Sequence, residues 1–596
     1  MPKKPSEEIK TRTIKNKQKN GDIYVLERKT IYDAQKKYNK VISTKLIAKI
    51  PKGTEIPVPT RPKKANSGTN KEMVSISTLE CANESNPNQI DASRMRIGMM
   101  HIIDHIGKVS GIDDAIYAGT DTGTAEKIIS LARYLLATNG QSLPGIVTWQ
   151  YNHPLPYAEG ISEDIYHDLF KNVGFDETLQ QQFFMNRCSG LSDGAAIAYD
   201  STTISTYSVN QTEARYGYNK SGDGLKTIKY LSLYSIDTRQ PIAFTKQPGN
   251  LPDVITIDNA LSQLMALGVK KAEVVTDNGY YSEKNLSEMF QAHFSFITLA
   301  KVNLKWIRPE IDKHRQQIDR LSSTCPFDPS THGLTVILMH DFVKVRKHGS
   351  KKSGLNKGDE ETFRRKVYLH IFYSAARKVD EDNFFDQDLI SIKKTLEEGV
   401  PLVELSEAAQ DKARKYLMIK VREKHTYINY NEDACVQAKQ YNGFFTLVSN
   451  SEKDTFSALS KYRKREYVEA CFRSAKQNTD STRIRVWDPD TLRGRMFVQF
   501  VTLCYYEYLS EKVRNIKQDL GINHDSSDQK LKQQIKLEKK LKSWLDNTPI
   551  YLQLQWFDVI EGVKISSKLK SMRWSTETTA MDKLYLEKLG CSTRIT

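Results

Sequence analysis

Cysteine is scarce in this chain: seven residues among 596 (Cys81, Cys188, Cys325, Cys435, Cys471, Cys504 and Cys591), odd in number, widely scattered and nowhere in a CxxC pair. That argues against a disulfide scaffold and a structural zinc site, and points to reduced thiols in a cytosolic setting. Long apolar runs are also missing. The most apolar stretch, Met496 to Leu509 (MFVQFVTLCYYEYL), is too short and too aromatic to span a bilayer and reads as a buried core helix or strand. The opening MPKKPSEEIK has no apolar segment of the kind a secretory leader needs. No repeat of about 20 to 50 residues is visible, which disfavours a solenoid.

Basic charge is present in excess. The 88 Lys and Arg outnumber the 72 Asp and Glu, and the first 70 residues hold 18 of the former against 6 of the latter. A basic arm of this kind suits nucleic acid, although solubility or a membrane surface would also be served. The length exceeds what one core supports and predicts several domains.

Along the chain, residues 22–50 alternate apolar and polar side chains, which predicts a small sheet ahead of the proline-rich PKGTEIPVPTRPKK. Residues 71–190 read as a helical DNA-binding domain, with 3.6-type spacing in RMRIGMMHIIDHIGKVSGIDDAI and TAEKIISLARYLLAT. From 191 to 301 the order is three strand-like runs, a helix, a strand, a helix and a strand. That is an α/β domain on a mixed sheet, antiparallel first and parallel after the crossover. Residues 302–454 interrupt it, with a basic patch from Lys344 to Lys366 and then an acidic helical stretch. The domain resumes at 455–545, and 546–596 reads as a helical C-terminal region.

Two aspartates stand where apolar strand-like runs end, Asp200 after AAIAY and Asp277 after AEVVT. Ligands gather at strand ends in α/β sheets, so these are site candidates. The competing reading is a plain turn former, and it is strong for Asp277 because DNGY is a turn signal. A third carboxylate, Glu469, lies in YRKREYVEACFRSAK. On one helix Tyr462, Arg465, Glu469, Arg473 and Lys476 fall within a wedge of roughly 80°, with Val468, Cys471, Phe472 and Ala475 on an apolar side. By itself this also describes a solvated face laced with i,i+4 pairs. Taken together, three carboxylates suit Mg²⁺ or Mn²⁺, and a pair of such ions about 3.5–4 Å apart can act on a phosphodiester. Arg465 and Lys476 would then hold phosphate oxygens and Tyr462 would donate a hydrogen bond.

The spacing Tyr462, Arg465, Glu469, Lys476 is Y-x2-R-x3-E-x6-K, and it follows YDST at Asp200 and TDNGYY at Asp277. In these residues the chain resembles the DDE transposases of bacterial insertion sequences, in particular the insertion-sequence-4-type group. Its length and basic N-terminus look most like the insertion-sequence-1634 subgroup. The resemblance covers roughly residues 191–301 and 455–510. It implies a ribonuclease-H-like mixed sheet flanked by helices and interrupted by a largely β insertion domain. Asp200, Asp277 and Glu469 would be the catalytic, metal-holding residues for two Mg²⁺ or Mn²⁺ ions.

The implied activity is cut-and-paste transposition: water frees a 3′-OH at the element's end, and that hydroxyl attacks target DNA. The implied partners are double-stranded DNA, as terminal inverted repeats and as target, and a second copy of the chain. The implied setting is the cytoplasm of a bacterial or archaeal cell, at the nucleoid and away from any membrane. Relatives place an aromatic residue of the insertion on a flipped base, for which Trp306 is a candidate beside the alternative of a core tryptophan. Arg473 adds a phosphate contact or merely pairs with Glu469. HIIDH (His101 to His105) looks like an inverted zincin motif with Asp104 in the wrong place, and a half-buried helical face is the expectation there. Two other functions remain open: a ribonuclease-H-like nuclease that does not join DNA, and a non-catalytic DNA-binding descendant.

Overall fold

A computed structural model describes residues 10–17, 23–33, 38–50, 91–345, 356, 358–422, 425–478, 483–484, 486–520, 529–566 and 571–595. It divides into two units, Met1–Glu84 with Ala158–Gly160, and the remainder. The first contains a three-stranded antiparallel sheet of Lys10–Lys17, Ile23–Asp33 and Tyr38–Ile50 in sequence order. The alternating pattern over 22–50 is thus a sheet, as expected. The proline-rich stretch after it lies outside the described residues.

The second unit is built on one mixed sheet. Its centre comprises β1 (Ala195–Thr206), β2 (Lys226–Ser235), β3 (Gln240–Pro248), β4 (Ala272–Thr276) and β5 (Ser295–Ala300), in the order β3-β2-β1-β4-β5. β1, β2 and β3 are antiparallel neighbours, whereas β4 lies parallel to β1 and β5 parallel to β4. The crossovers are α1 (Ile257–Ala266) and α2 (Glu283–Gln291). This is the predicted order of elements, and its cause is visible in burial. Every residue of β1 is buried, as a strand covered on both faces must be.

The interrupting segment departs from expectation in two ways. Its strands β6 (Asp328–Val345), β7 (Glu360–Ser374) and β8 (Phe444–Ser449) extend the same sheet, because β8 pairs antiparallel with both β5 and β7. It is also as much helical as β: helices Ala375–Glu397, Glu407–Tyr416 and Glu432–Lys439 and the hairpin Leu417–Arg422 with His425–Tyr430 form a small second core around Leu389, Ile392, Leu417 and Ile428. The C-terminal region differs too. Besides helices Ile550–Phe557 and Ala580–Leu589 it supplies a hairpin, Glu561–Ser566 with Ser571–Ser575, whose first strand pairs with Asp91–Arg96.

After β8 come α3 (Thr455–Arg463), α4 (Glu466–Asn478) and α5 (Pro489–Asp519). The apolar stretch Met496 to Leu509 is the buried middle of α5, capped by Asp488, which accepts the Thr491 N–H at 2.9 Å. No helix among the described residues is long and apolar enough to cross a membrane. The helix Glu163–Phe175 crosses α5 at glycine contacts, where a Cβ on Gly494 would overlap the Phe170 carbonyl and one on Gly174 the Asp490 carbonyl. Helix Thr122–Ala137 brings buried Arg133 to Asp113 at 2.6 Å, to Asp104, and next to Tyr505, whose hydroxyl donates to Asp113. The HIIDH segment is therefore a packing face, with His101 Nε2 2.9 Å from the Ser592 carbonyl.

Glu507 on α5 is buried beside the Tyr234 hydroxyl, 3.4 Å away, and burial pushes its carboxyl up to about 7 while Arg514 pulls it down. A carboxyl raised on folding favours the folded state below its unfolded pKa of ~4.5 and loses that contribution as pH rises through the folded value. Stability is expected to fall by up to roughly 3 kcal/mol from this group between pH 5 and 8. Glu507→Gln is expected to flatten that slope and raise the urea midpoint at pH 8, read from denaturation curves at several pH values.

Candidate active site

The parallel register of β1 and β4 matches Ala195 with Ala272 through to Ala198 with Val275. Continued by two residues, the same register sets Asp200 beside Asp277, on neighbouring strands spaced about 4.8 Å apart. Contrary to the sequence reading, Asp200 does not end its strand, because β1 runs on to Thr206 through Ser and Thr. Its carboxylate is 6 % exposed. One oxygen accepts the Ser201 N–H at 2.7 Å and the other accepts from Arg465 at 2.8 Å. Burial raises this carboxyl to about 6, against the pull of Lys220 and Arg465 and with a further push from Asp277.

Asp277 follows the last residue of β4 and is half-buried. Its Oδ1 accepts the Gly279 N–H at 2.9 Å, so the turn reading is correct as far as it goes. The same residue also lies close enough to Asp200, Arg465 and Tyr462 to act on their charges. One residue therefore shapes the turn and faces the site.

The segment carrying the third carboxylate is two helices. α3 ends at Arg463, Lys464 and Arg465 form a turn, and α4 starts at Glu466, so of the single wedge expected from Tyr462 to Lys476 only Glu469, Arg473 and Lys476 share a helix. The side chains still meet. Arg465 donates to Asp200 and, at 2.6 Å, to Glu469, while its guanidinium carbon lies 5.8 Å from the Tyr462 ring centre. Glu469 is half-exposed at 49 %. The apolar side of α4 is as predicted, with Val468, Cys471 and Phe472 buried. Lys461 fixes α3 to the sheet by pairing with the buried Glu273 of β4 at 2.8 Å and with Glu452 at 2.9 Å. Arg239, in the turn between β2 and β3, donates to the Tyr467 hydroxyl at 2.8 Å and anchors α4.

Lys476 reaches β1 beyond Asp200, lining a small pocket with Thr202, Ile204 and Met496, and burial lowers its pKa with help from Lys220. Arg473 is exposed, and Glu469 takes its ion pair from Arg465 instead. Trp306 lies outside this group. Its ring packs 4.6 Å from His340 and its indole N–H reaches the Tyr281 hydroxyl at 3.3 Å, the pattern of a structural tryptophan. Sequence reading missed Lys220, whose ammonium donates to the Ser201 carbonyl at 2.5 Å. It also missed a cavity of about 430 Å³ opening next to Asp277, lined by Asn278, Arg308, Arg377, Tyr441 and Phe445.

No group of three or more His, Cys, Asp or Glu side chains among the described residues is gathered as a metal cage. The guanidinium of Arg465 instead donates to Asp200 and Glu469, and Asp277 lies near enough to act on its charge. A cation surrounded by three oxygen donors, one of them a buried carboxylate, is the environment a hard divalent ion favours. The three side chains are oxygen donors of the kind such an ion takes, but they are not gathered around one point in this structure.

The sequence profile of the family described as "Transposase DDE domain" matches residues 192–505. Among solved structures the chain is similar to the piggyBac transposase synaptic complex with hairpin DNA, at 11 % identity and a TM-score of 0.34, over 79 % of this chain and 83 % of that one. No curated protein matches.

Proposed function

We infer that this chain, which belongs to the transposase DDE domain family, cuts DNA at the ends of an insertion sequence and joins the freed 3′ ends to target DNA. The observation that carries this reading is the convergence of Asp200, Asp277 and Glu469 on Arg465, from two neighbouring parallel strands and a later helix. Strand order β3-β2-β1-β4-β5 supports a ribonuclease-H-like core at 191–301 and 455–545. The complete Y-x2-R-x3-E-x6-K spacing supports the insertion-sequence-4-type group.

In this reading Asp200, Asp277 and Glu469 would hold two divalent ions, Mg²⁺ or Mn²⁺. Such ions, when bound, activate the attacking oxygen and stabilise the leaving one. The chain's own residues set the rest. Arg465 can fork onto phosphate oxygens, Lys476 adds a point charge, and the Tyr462 hydroxyl donates a hydrogen bond. Burial around Asp200 keeps the dielectric low, so each of these charges acts more strongly than it would in water. The basic N-terminal region and the helical 71–190 region grip the terminal repeats, two copies of the chain hold the paired ends, and the work is done on chromosomal DNA in the cytoplasm.

The test is incubation of the full chain with a duplex carrying the element's own end. Nicked and joined products with Mg²⁺, absent with EDTA, are expected. Nicking with no joined product at any target concentration would favour a nuclease instead.

A further inference from the structure

The loop between β1 and β2, residues 207–225, is full of turn formers yet is tied into one shape. The Lys220 N–H donates to Thr203 Oγ1 at 3.0 Å, and the Asn219 amide bonds Ser205 at 3.3 Å and Asp223 at 2.6 Å. Gln211 donates to the Val486 carbonyl at 3.1 Å. Gly217 lies so close to the backbone of Gly249 and Asn250 that a side chain there would collide. Gly222 and Gly224 take left-handed φ values of +65° and +68°.

This ordered loop turns its aromatic side chains outward. Tyr207, Tyr216 and Tyr218 are 66 %, 69 % and 77 % exposed, while Tyr199, Tyr230 and Tyr234 of the flanking strands are buried. Cations accompany two of these rings: Lys226 lies 5.5 Å from the centre of Tyr216, and Arg483 lies 5.0 Å from that of Tyr207 while donating to its hydroxyl. The loop's carboxylates are already engaged, Glu213 by Lys246 and Asp223 by Asn219 and the Leu225 N–H. Exposed aromatics interleaved with cations on a fixed backbone are the pattern that holds unpaired nucleotides, the rings stacking on bases and the cations following phosphates.

Lys220 connects this surface to the candidate active site. Its ammonium rests on the Ser201 carbonyl, one residue beyond Asp200, and Lys476 lies against Thr202, one residue further. Among the described residues no carboxylate forms an ion pair with either lysine. Lys220 already acts on the Asp200 carboxyl, and with Lys476 close enough to repel it the two ammonium groups give this edge of the site a positive charge that an approaching phosphate would meet.

We propose that this loop grips a DNA strand at the active site, with Lys220 on a backbone phosphate next to Asp200 and with Tyr216 and Tyr218 stacked on unpaired bases beside it. The proposal rests on the transposase reading above. It adds a strand-holding element that neither the carboxylates nor the α4 signature includes.

The test measures binding of the full chain, in EDTA so that nothing is cut, to a labelled single-stranded 20-mer and to its duplex, between about 50 and 300 mM KCl. Lys220→Gln is expected to weaken single-strand binding several-fold and to reduce the slope of log affinity against log salt by about 0.7, while Lys220→Arg retains the wild-type slope. Tyr216→Ala with Tyr218→Ala is expected to cost about tenfold or more on the single strand, much less on the duplex, with the slope unchanged. A simple folding defect would lower affinity without this division between slope and strand type. A wild-type salt slope in Lys220→Gln, or wild-type single-strand affinity in the tyrosine double variant, overturns the proposal while leaving the transposase reading in place. A wild-type chain that binds neither DNA overturns both.

Discussion

Asp200→Asn is expected to lower both cleavage and joining by about 10³-fold or more, with DNA binding in EDTA within a few-fold of wild type. Asp200 is the deepest of the three carboxylates, and it lies inside β1, whose parallel register with β4 brings it beside the turn that carries Asp277. An amide there keeps the size of the side chain but supplies no anionic ligand, and loss of several kcal/mol of charge stabilisation at the reacting phosphate has that consequence for rate. The substitution also removes the charge to which Arg465 donates at 2.8 Å, which leaves Glu469 as its charge-paired hydrogen-bond partner. Single-turnover assays on an end-bearing duplex measure the effect. Retention of a tenth or more of the wild-type rate would remove Asp200 from the catalytic set.

Gly494→Ala should destabilise the fold by about 3 kcal/mol, the upper end of what overpacking costs. Its thermal midpoint is expected to fall by roughly 5 °C or more. Helix propensity alone predicts the reverse, since alanine inside a helix is worth ~1 kcal/mol over glycine. The sign is set by packing, because the added methyl would occupy the position of the Phe170 carbonyl in the crossing helix. Gly174→Ala meets the Asp490 carbonyl and should behave alike. A midpoint equal to or above wild type in both variants would mean that α5 does not cross the 163–175 helix this closely.

The legible part of the fold was the part with strict periodicity and order. Three strands, helix, strand, helix, strand could be read from apolar runs, and the buried side of α4 from its spacing. What could not be read depended on contacts between distant segments. Nothing local shows that β8 returns to pair with β5 and so extends one sheet, or that Asp91–Arg96 pairs with a strand beginning at Glu561.

In the site, the nearness of Asp200, Asp277 and Glu469 to one another could be anticipated from residue type and spacing, although Arg465 was expected on phosphate oxygens rather than on Asp200 and Glu469. The break at Lys464 was not, since the segment has helix-compatible side chains throughout and its turn is imposed by the anchors of Lys461 on Glu273 and Tyr467 on Arg239. Lys220 was hidden for the same reason: a lysine in a turn-rich loop resembles any solvated lysine until the loop's hydrogen bonds to Thr203 and Ser205 bring it back along β1.

On the proposed reading one site, formed by Asp200, Asp277 and Glu469, both cuts DNA and joins it. The most direct test supplies the end already cut, with a free 3′-OH, to wild type and to Glu469→Gln with Mg²⁺ and a plasmid target. Plasmid-joined product is expected from the wild type and none from the variant; equal joining by both would mean that Glu469 takes no part in strand transfer.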